Sequence, residues 1–141
     1  MLYLERVECD WPLRMQLQAG SRVPIHATAS GKLLIAQMSE RNRKALLGSI
    51  QRQKFTGNTL VGLDEMEAEC RKIRANDLSI NKEEYHLGLI GVAVPVRRSD
   101  GTVIAALSIH APSFRMSVET ALSYVPLLKA SSAKIVSELG L

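Results

Sequence analysis

The chain has 141 residues, 46% of them apolar and 23% charged, with a net charge of +4 and an isoelectric point near 9.3. That length suits one domain with its own core, and no apolar run approaches the roughly 20 residues of a membrane span, so a soluble protein without membrane partners is expected. Charge at Glu5 and Arg6 interrupts any secretory stretch, and Cys9 and Cys70 have neither zinc nor disulfide spacing, which predicts a reduced, cytoplasmic chain.

In chain order, "MLYLERVE" and "WPLRMQLQ" alternate apolar and polar residues as half-buried strands do, and "CDWP" supplies turn material between them. They predict an opening hairpin. After Pro24, "IHATASGKLLIAQM" predicts a helix that starts on the cap Thr28 and places Ala29, Leu33 and Leu34 on one side. A second helix is expected from Glu40 to Leu47, capped by Ser39 and stopped by Gly48. In "LDEMEAECRKIRAND", Asp64 and Glu67 read as a cap-and-return pair, Glu67 and Arg71 as an i,i+4 pair, and the acids precede the bases as the helix dipole favours.

Three strand candidates follow, from Leu78, Leu89 and Val103, and the Ser99-Asp100-Gly101 turn predicts that the last two pair antiparallel. Pro126 divides or starts the final helical stretch. The order predicts an α+β domain with a mainly antiparallel sheet rather than a doubly wound nucleotide fold.

Several chemistries can be weighed against these elements. Gly31-Lys32 resembles the end of a phosphate loop, but His26 and Leu33 occupy the positions of the required glycine and hydroxyl residue, so Lys32 reads as a solvated helix residue. The group Arg41, Arg43, Lys44, Arg52 and Lys54 reads as a solvated helix and loop, and scarce, scattered aromatics leave little for nucleic-acid stacking. His26, His86 and His110 lack metal-ligand spacing, so no metal or other cofactor is expected. Catalysis finds no nucleophile elbow around Ser30; Cys70, beside Arg71, is the one thiol candidate for an alternative reading as a redox enzyme. Glu83 and Glu84 are adjacent and point apart, a poor acid–base pair.

Binding is better supported. A helix that starts at Thr28 presents unpaired N–H groups suited to a carboxylate, and Ala29 and Ser30 keep that end open. On "VIAALSIHA", Ala106, Ser108 and His110 share a small, polar face, and Leu107 and Ile109 point the other way.

Four stretches, "DWPLRMQLQAGSRVPIHATASGKLLIA", "FTGNTL", "EEYHLGLIGVAVPV" and "GTVIAALSIHAPSFRM", occur here in order and spacing that resemble the effector-binding domain of IclR-family bacterial transcriptional regulators. The resemblance runs from "LYLERVE" to "SELG". It implies a GAF/PAS-like domain, a curved antiparallel sheet flanked by helices, that binds a small organic or aromatic acid and acts in a homodimer or homotetramer. Operator DNA would be bound only through a winged helix-turn-helix domain that is not in this sequence. By the same resemblance the ligand-binding positions fall on Val23, Ala29, Ser30, Asn81, Gly91, Ser108 and His110. Where some members carry an aspartate and a serine, this chain has Asn81 and His110, and the imidazole is expected to add charge near neutral pH.

Overall fold

A computed structural model describes residues 1–7 and 19–141. The expected strand "WPLRMQLQ", and Cys9, lie outside the described residues. Among the described residues the N-terminal segment pairs with residues 20–23: Leu2 bridges Arg22 antiparallel, and the Gly20 amide donates to the Tyr3 carbonyl at 2.8 Å.

Helix α1 (Ala29–Gln37) begins where Thr28 holds an extended backbone and its hydroxyl accepts from the Gly31 amide at 3.2 Å. The same hydroxyl donates to the Pro24 carbonyl at 3.1 Å, so one side chain ties the helix start to the incoming strand. Burial is not confined to one side. Ala29 through Leu33, Ile35 and Ala36 are all buried, because α1 lies between the sheet and α3 (Leu63–Asn76). Helix α2 (Glu40–Ser49) is capped by Ser39 as expected, yet it runs through Gly48 to Ser49, with Ile50 as its C-cap. Glycine weakens a helix only modestly, and the following Ser49 hydroxyl donates to the Leu46 carbonyl at 2.9 Å.

Helix α3 starts two residues earlier than the Asp64 cap implied. Gly62 is its cap, and the Glu65 carboxylate accepts the Gly62 amide at 3.2 Å. Glu67 is thereby free of the cap, and it pairs with Arg43 of α2 rather than with Arg71: the Arg43 Nε lies 3.1 and 3.0 Å from its two oxygens. Arg43 is buried and also donates to the Met38 carbonyl, while Arg52 donates to the Val61 carbonyl at 2.7 Å, so two members of the basic group are internal struts.

Strands β1 (Ser79–Lys82), β2 (Leu89–Arg97) and β3 (Val103–Pro112) form an antiparallel sheet in that order. The β2–β3 turn has the expected chemistry: Gly101 takes φ +86°, and the Arg98 amide donates to the Thr102 carbonyl at 2.9 Å. Helix α4 (Val118–Ser123) and helix α5 (Val125–Leu139) follow, with Pro126 in the first turn of α5, where its missing N–H costs nothing.

The sheet separates two cores. Ala93 and, partly buried, Ala106 pack with Leu33, Ile35, Leu47, Met66, Cys70 and Ile73 on the α1–α3 side. Val92, Val94, Leu107 and Ile109 pack with Ala121 and Leu128 on the α4–α5 side. Small residues on the first face let α1 approach the sheet, and at Gly31 the helix also packs on the backbone of the segment that precedes it. A Cβ there would sit 2.1 Å from the Ile25 carbonyl oxygen. Gly31→Ala is therefore expected to destabilise the domain by about 3 kcal/mol or more, seen as a lowered midpoint in chemical denaturation, whereas Gly48→Ala, with open space around it, should be neutral or slightly stabilising.

Candidate ligand-binding site

The first turn of α1, the N-terminal segment and the α1-facing side of the sheet line an open cleft. On the helix side, Thr28 satisfies the Gly31 amide, which leaves the amides of Ala29 and Ser30 without an acceptor among the described residues. The Ser30 hydroxyl is in the same condition although the residue is only 6% exposed. Three donors and the positive end of the helix dipole thus converge on one wall.

The sheet side follows from strand register. Asn81 of β1 is paired with Gly91 of β2, and Gly91 with His110 of β3, so these residues lie in one row across the sheet and share one face. The next row on that face is Ser79, Ala93 and Ser108. Gly91 keeps the centre of the first row bare; a Cβ would come within 3.2 Å of the His110 Cβ and 3.1 Å of the Ile109 oxygen. The Asn81 side-chain oxygen accepts the Glu84 amide at 2.9 Å, which turns its NH2 group toward the cleft with no acceptor among the described residues. Neither Ser108 nor His110 has a side-chain hydrogen bond among the described residues.

The loop from Glu83 to Gly88, which carries Tyr85 into the cleft, is clamped from three directions. Thr56 donates to the Glu83 carbonyl at 2.7 Å and Thr59 to the Glu84 carbonyl at 2.6 Å, which gives "FTGNT" its structural meaning. The Phe55 ring meets Tyr85 edge-on with centroids 5.0 Å apart and stacks on His26 at 5.7 Å. From below, Lys32 of α1 reaches the same loop. It is 1% exposed, and its ammonium donates to Glu84 at 2.6 Å, to Glu69 of α3 at 3.0 Å and to the Ile80 carbonyl at 2.8 Å. The solvated Lys32 expected from sequence is instead an internal ion pair, because its stem passes inside the sheet–helix contact and its charge meets two carboxylates there.

All seven residues expected from sequence, Val23, Ala29, Ser30, Asn81, Gly91, Ser108 and His110, line this cleft together. The cap Thr28 lines it as well, and sequence reasoning missed Tyr3, Tyr85, Leu89 and Ile109, which line it too. Tyr85 stands inside the "EEYHLG" stretch and was within reach; Tyr3 depends on the pairing of residues 1–3 with 20–23, which alternation alone does not specify. Electrostatics modify one expectation. Burial, and then the charge of Arg6, hold the His110 imidazole below its ordinary 6.5, so the ring is neutral at neutral pH rather than a source of charge. Burial likewise raises the Tyr3 hydroxyl above its ordinary 10.0.

The other histidines are not gathered here: His26 is bonded to the Gln53 carbonyl at 2.9 Å, and His86 is exposed. Among the described residues no group of three or more His, Cys, Asp or Glu side chains could hold a metal ion. Cys70 is fully buried in the α1–α3 core, and burial raises its thiol pKa, so Arg71 does not activate it. No helix among the described residues is long and apolar enough to cross a membrane.

A three-stranded antiparallel sheet with a cleft on its α1 face, roofed by a capped helix start, defines an α+β domain of the GAF/PAS-like ligand-binding class. Residues 1–137 match the family described as bacterial transcriptional regulator IclR C-terminal, and the chain belongs to that family. It is 39% identical over 136 residues to the "Probable transcriptional regulator SauR" of Cupriavidus necator, covering 96% of this chain and 54% of that protein. The crystal structure of Thermotoga maritima IclR superposes with a TM-score of 0.89 at 28% identity, covering 99% of this chain and 57% of that one. The inducer-binding domain of the transcription factor PobR from Acinetobacter, a double mutant in complex with 3-hydroxybenzoic acid, gives 0.80 at 27% identity over 84% and 69%. The chain spans about half the length of the curated relatives it matches.

Lys32→Met strands two carboxylates and is expected to cost about 3–5 kcal/mol in urea denaturation, with part of the loss recovered in the Lys32→Met/Glu84→Gln double variant. The depressed His110 means that the unfolded chain takes up a proton more readily than the folded one. Its contribution to stability is complete above 6.5 and lost as pH falls below it; His110→Gln should flatten that part of the thermal-melt pH profile.

Proposed function

We propose that this domain is the sensor of a transcriptional regulator and that the cleft binds a small carboxylate effector. The single observation that carries this is the set of polar groups that face the cleft without a hydrogen-bond partner among the described residues, the Ala29 and Ser30 amides at the start of α1 and the Ser30 hydroxyl. A carboxylate at a helix start supplies acceptors for such groups. The inducer-binding domain of PobR, similar in fold, holds an aromatic acid.

In this reading Val23, Ala29, Ser30, Asn81, Gly91, Ser108 and His110 form the binding site, and the domain works in a homodimer or homotetramer whose DNA-binding segments lie outside this sequence. The effector biases one arrangement of the oligomer by its differential affinity for two states, a coupling of about 1–3 kcal/mol. Catalysis has no support: the thiol that could have provided it is sealed in a core. A thermal-shift screen of small carboxylates tests the reading. At least one acid should raise the melting temperature in a dose-dependent way, and Ser30→Trp and Ser108→Trp, folded but with the cleft filled, should abolish the shift; a shift unaffected by both places the site elsewhere.

A further inference from the structure

We propose that residues 1–3 form a strap over the cleft with Tyr3 as its latch, and that an occupant of the cleft holds this strap down. This rests on the sensor reading and adds the movable part through which occupancy is felt outside the cleft.

The walls of the cleft are held unequally. The start of α1 is fixed by the Thr28 hydroxyl, the sheet rows by cross-strand pairing, and Tyr85 by the Thr56, Thr59 and Lys32 contacts to its loop. Among the described residues, Tyr3 is the lining residue that the N-terminal segment supplies. Backbone hydrogen bonds join that segment to residues 20–23. The Tyr3 amide donates to the Ser21 carbonyl at 3.2 Å, the Gly20 amide to the Tyr3 carbonyl at 2.8 Å, and the Val23 amide to the Met1 carbonyl at 3.1 Å.

The two strands of this ribbon differ in anchorage. Val23 on the inner strand is buried, and the carbonyl of the next residue, Pro24, accepts the Thr28 hydroxyl, which ties that strand to α1. The outer strand buries little: Leu2, Leu4 and Val7 are 51%, 74% and 96% exposed, and Tyr3 is half-buried. A segment with few buried apolar contacts and exposed backbone bonds opens locally at a much lower free energy than a core strand.

Alternation turns the Tyr3 ring inward between the outward Leu2 and Leu4. Its hydroxyl has no hydrogen-bond partner among the described residues. Farther along, Arg6 lies close enough for its charge to act on both Tyr3 and His110, so the segment runs past the cleft from residues 20–23 toward β3. An occupant adds contact beneath the Tyr3 ring and thereby favours the docked strap. By linkage the docked strap favours the occupant by the same factor. Docking also fixes Leu2 and Leu4 on the outer surface, so occupancy changes what that surface presents.

Amide hydrogen exchange followed by NMR on the intact chain tests the strap. Without ligand, the Tyr3, Gly20 and Val23 amides should exchange at a common rate at least about 100-fold faster than those of Val92 and Val94 in β2. Tyr3→Ala, with folding verified by its melt, should speed Gly20 and Val23 further and leave Val92 and Val94 unchanged, whereas Tyr3→Phe should keep the wild-type rates. The ligand arm takes benzoate, 3-hydroxybenzoate, butyrate and 3-hydroxybutyrate at 10 mM and uses those that raise the melting temperature. Such an acid should slow the three ribbon amides about ten-fold in the wild type and in Tyr3→Phe. It should bind Tyr3→Ala about ten-fold more weakly, with no added protection of Gly20 and Val23. Ribbon amides as protected as Val92 without ligand, or an acid that binds without slowing them, overturn the strap and leave the sensor reading intact. Weaker binding by Tyr3→Ala with no ligand-induced protection in the wild type makes Tyr3 a passive wall and overturns it equally. If none of the four acids moves the melt, the strap falls together with the carboxylate reading.

Discussion

The buried Lys32 ammonium is the tie on which the site depends. Glu84 holds it at 2.6 Å, Glu69 at 3.0 Å and the Ile80 carbonyl at 2.8 Å, so all three of its donors are used. These partners belong to the loop after β1, to α3 and to β1 itself. One side chain therefore fixes the helix that offers its N-terminus to the cleft relative to the strand and loop that bring Asn81 and Tyr85. A hydrophobic substitute of the same size could fill the space, but it would specify neither the height of α1 over the sheet nor the path of the loop. The second Glu84 oxygen is buried without a hydrogen bond among the described residues, which concentrates that carboxylate's interaction on Lys32 and the Lys82 amide.

The sheet gives the site its shape. Each strand sends alternate residues to opposite faces, so the α4–α5 face is built from Val92, Val94, Leu107 and Ile109, and the other face from small or polar residues. Large aliphatic residues on the second face would close the cleft. Gly91 and Ala93 leave room at the centre of their rows, and Asn81, Ser108 and His110 stand at the sides. The same smallness admits α1 against the sheet. Packing and binding thus share one cause, the removal of side-chain bulk from one face of the sheet.

Much of this was legible in the sequence where local rules act alone. Hydroxyl caps at Thr28 and Ser39, the Asp100-Gly101 turn and the division at Pro126 depend on a few neighbouring atoms, and each occurs where expected. Errors arose where a competing partner, local or distant, took the expected role. Asp64 looked like a cap, yet α3 begins at Leu63 and Glu65 closes on Gly62; Glu67 looked like the local partner of Arg71, yet a buried Arg43 on α2 takes it. Burial reverses intrinsic tendencies in the same way: the Cys70 thiol is raised in the core, and His110 is held neutral in the cleft.

By itself the sequence determined the element order, the antiparallel β2–β3 pairing, the small polar face on β3 and the family resemblance, because periodicity, turn chemistry and ordered motifs are properties of the chain read along its length. Only the tertiary structure decided that Asn81, Gly91 and His110 stand in one row, since register between strands is set by cross-strand pairing. It alone decided the role of Gly31-Lys32, which sequence spacing left as a failed phosphate loop on a solvated surface. The glycine is there because a backbone passes within van der Waals contact of its α-carbon, and the lysine because two distant carboxylates and a carbonyl meet at its tip inside the protein.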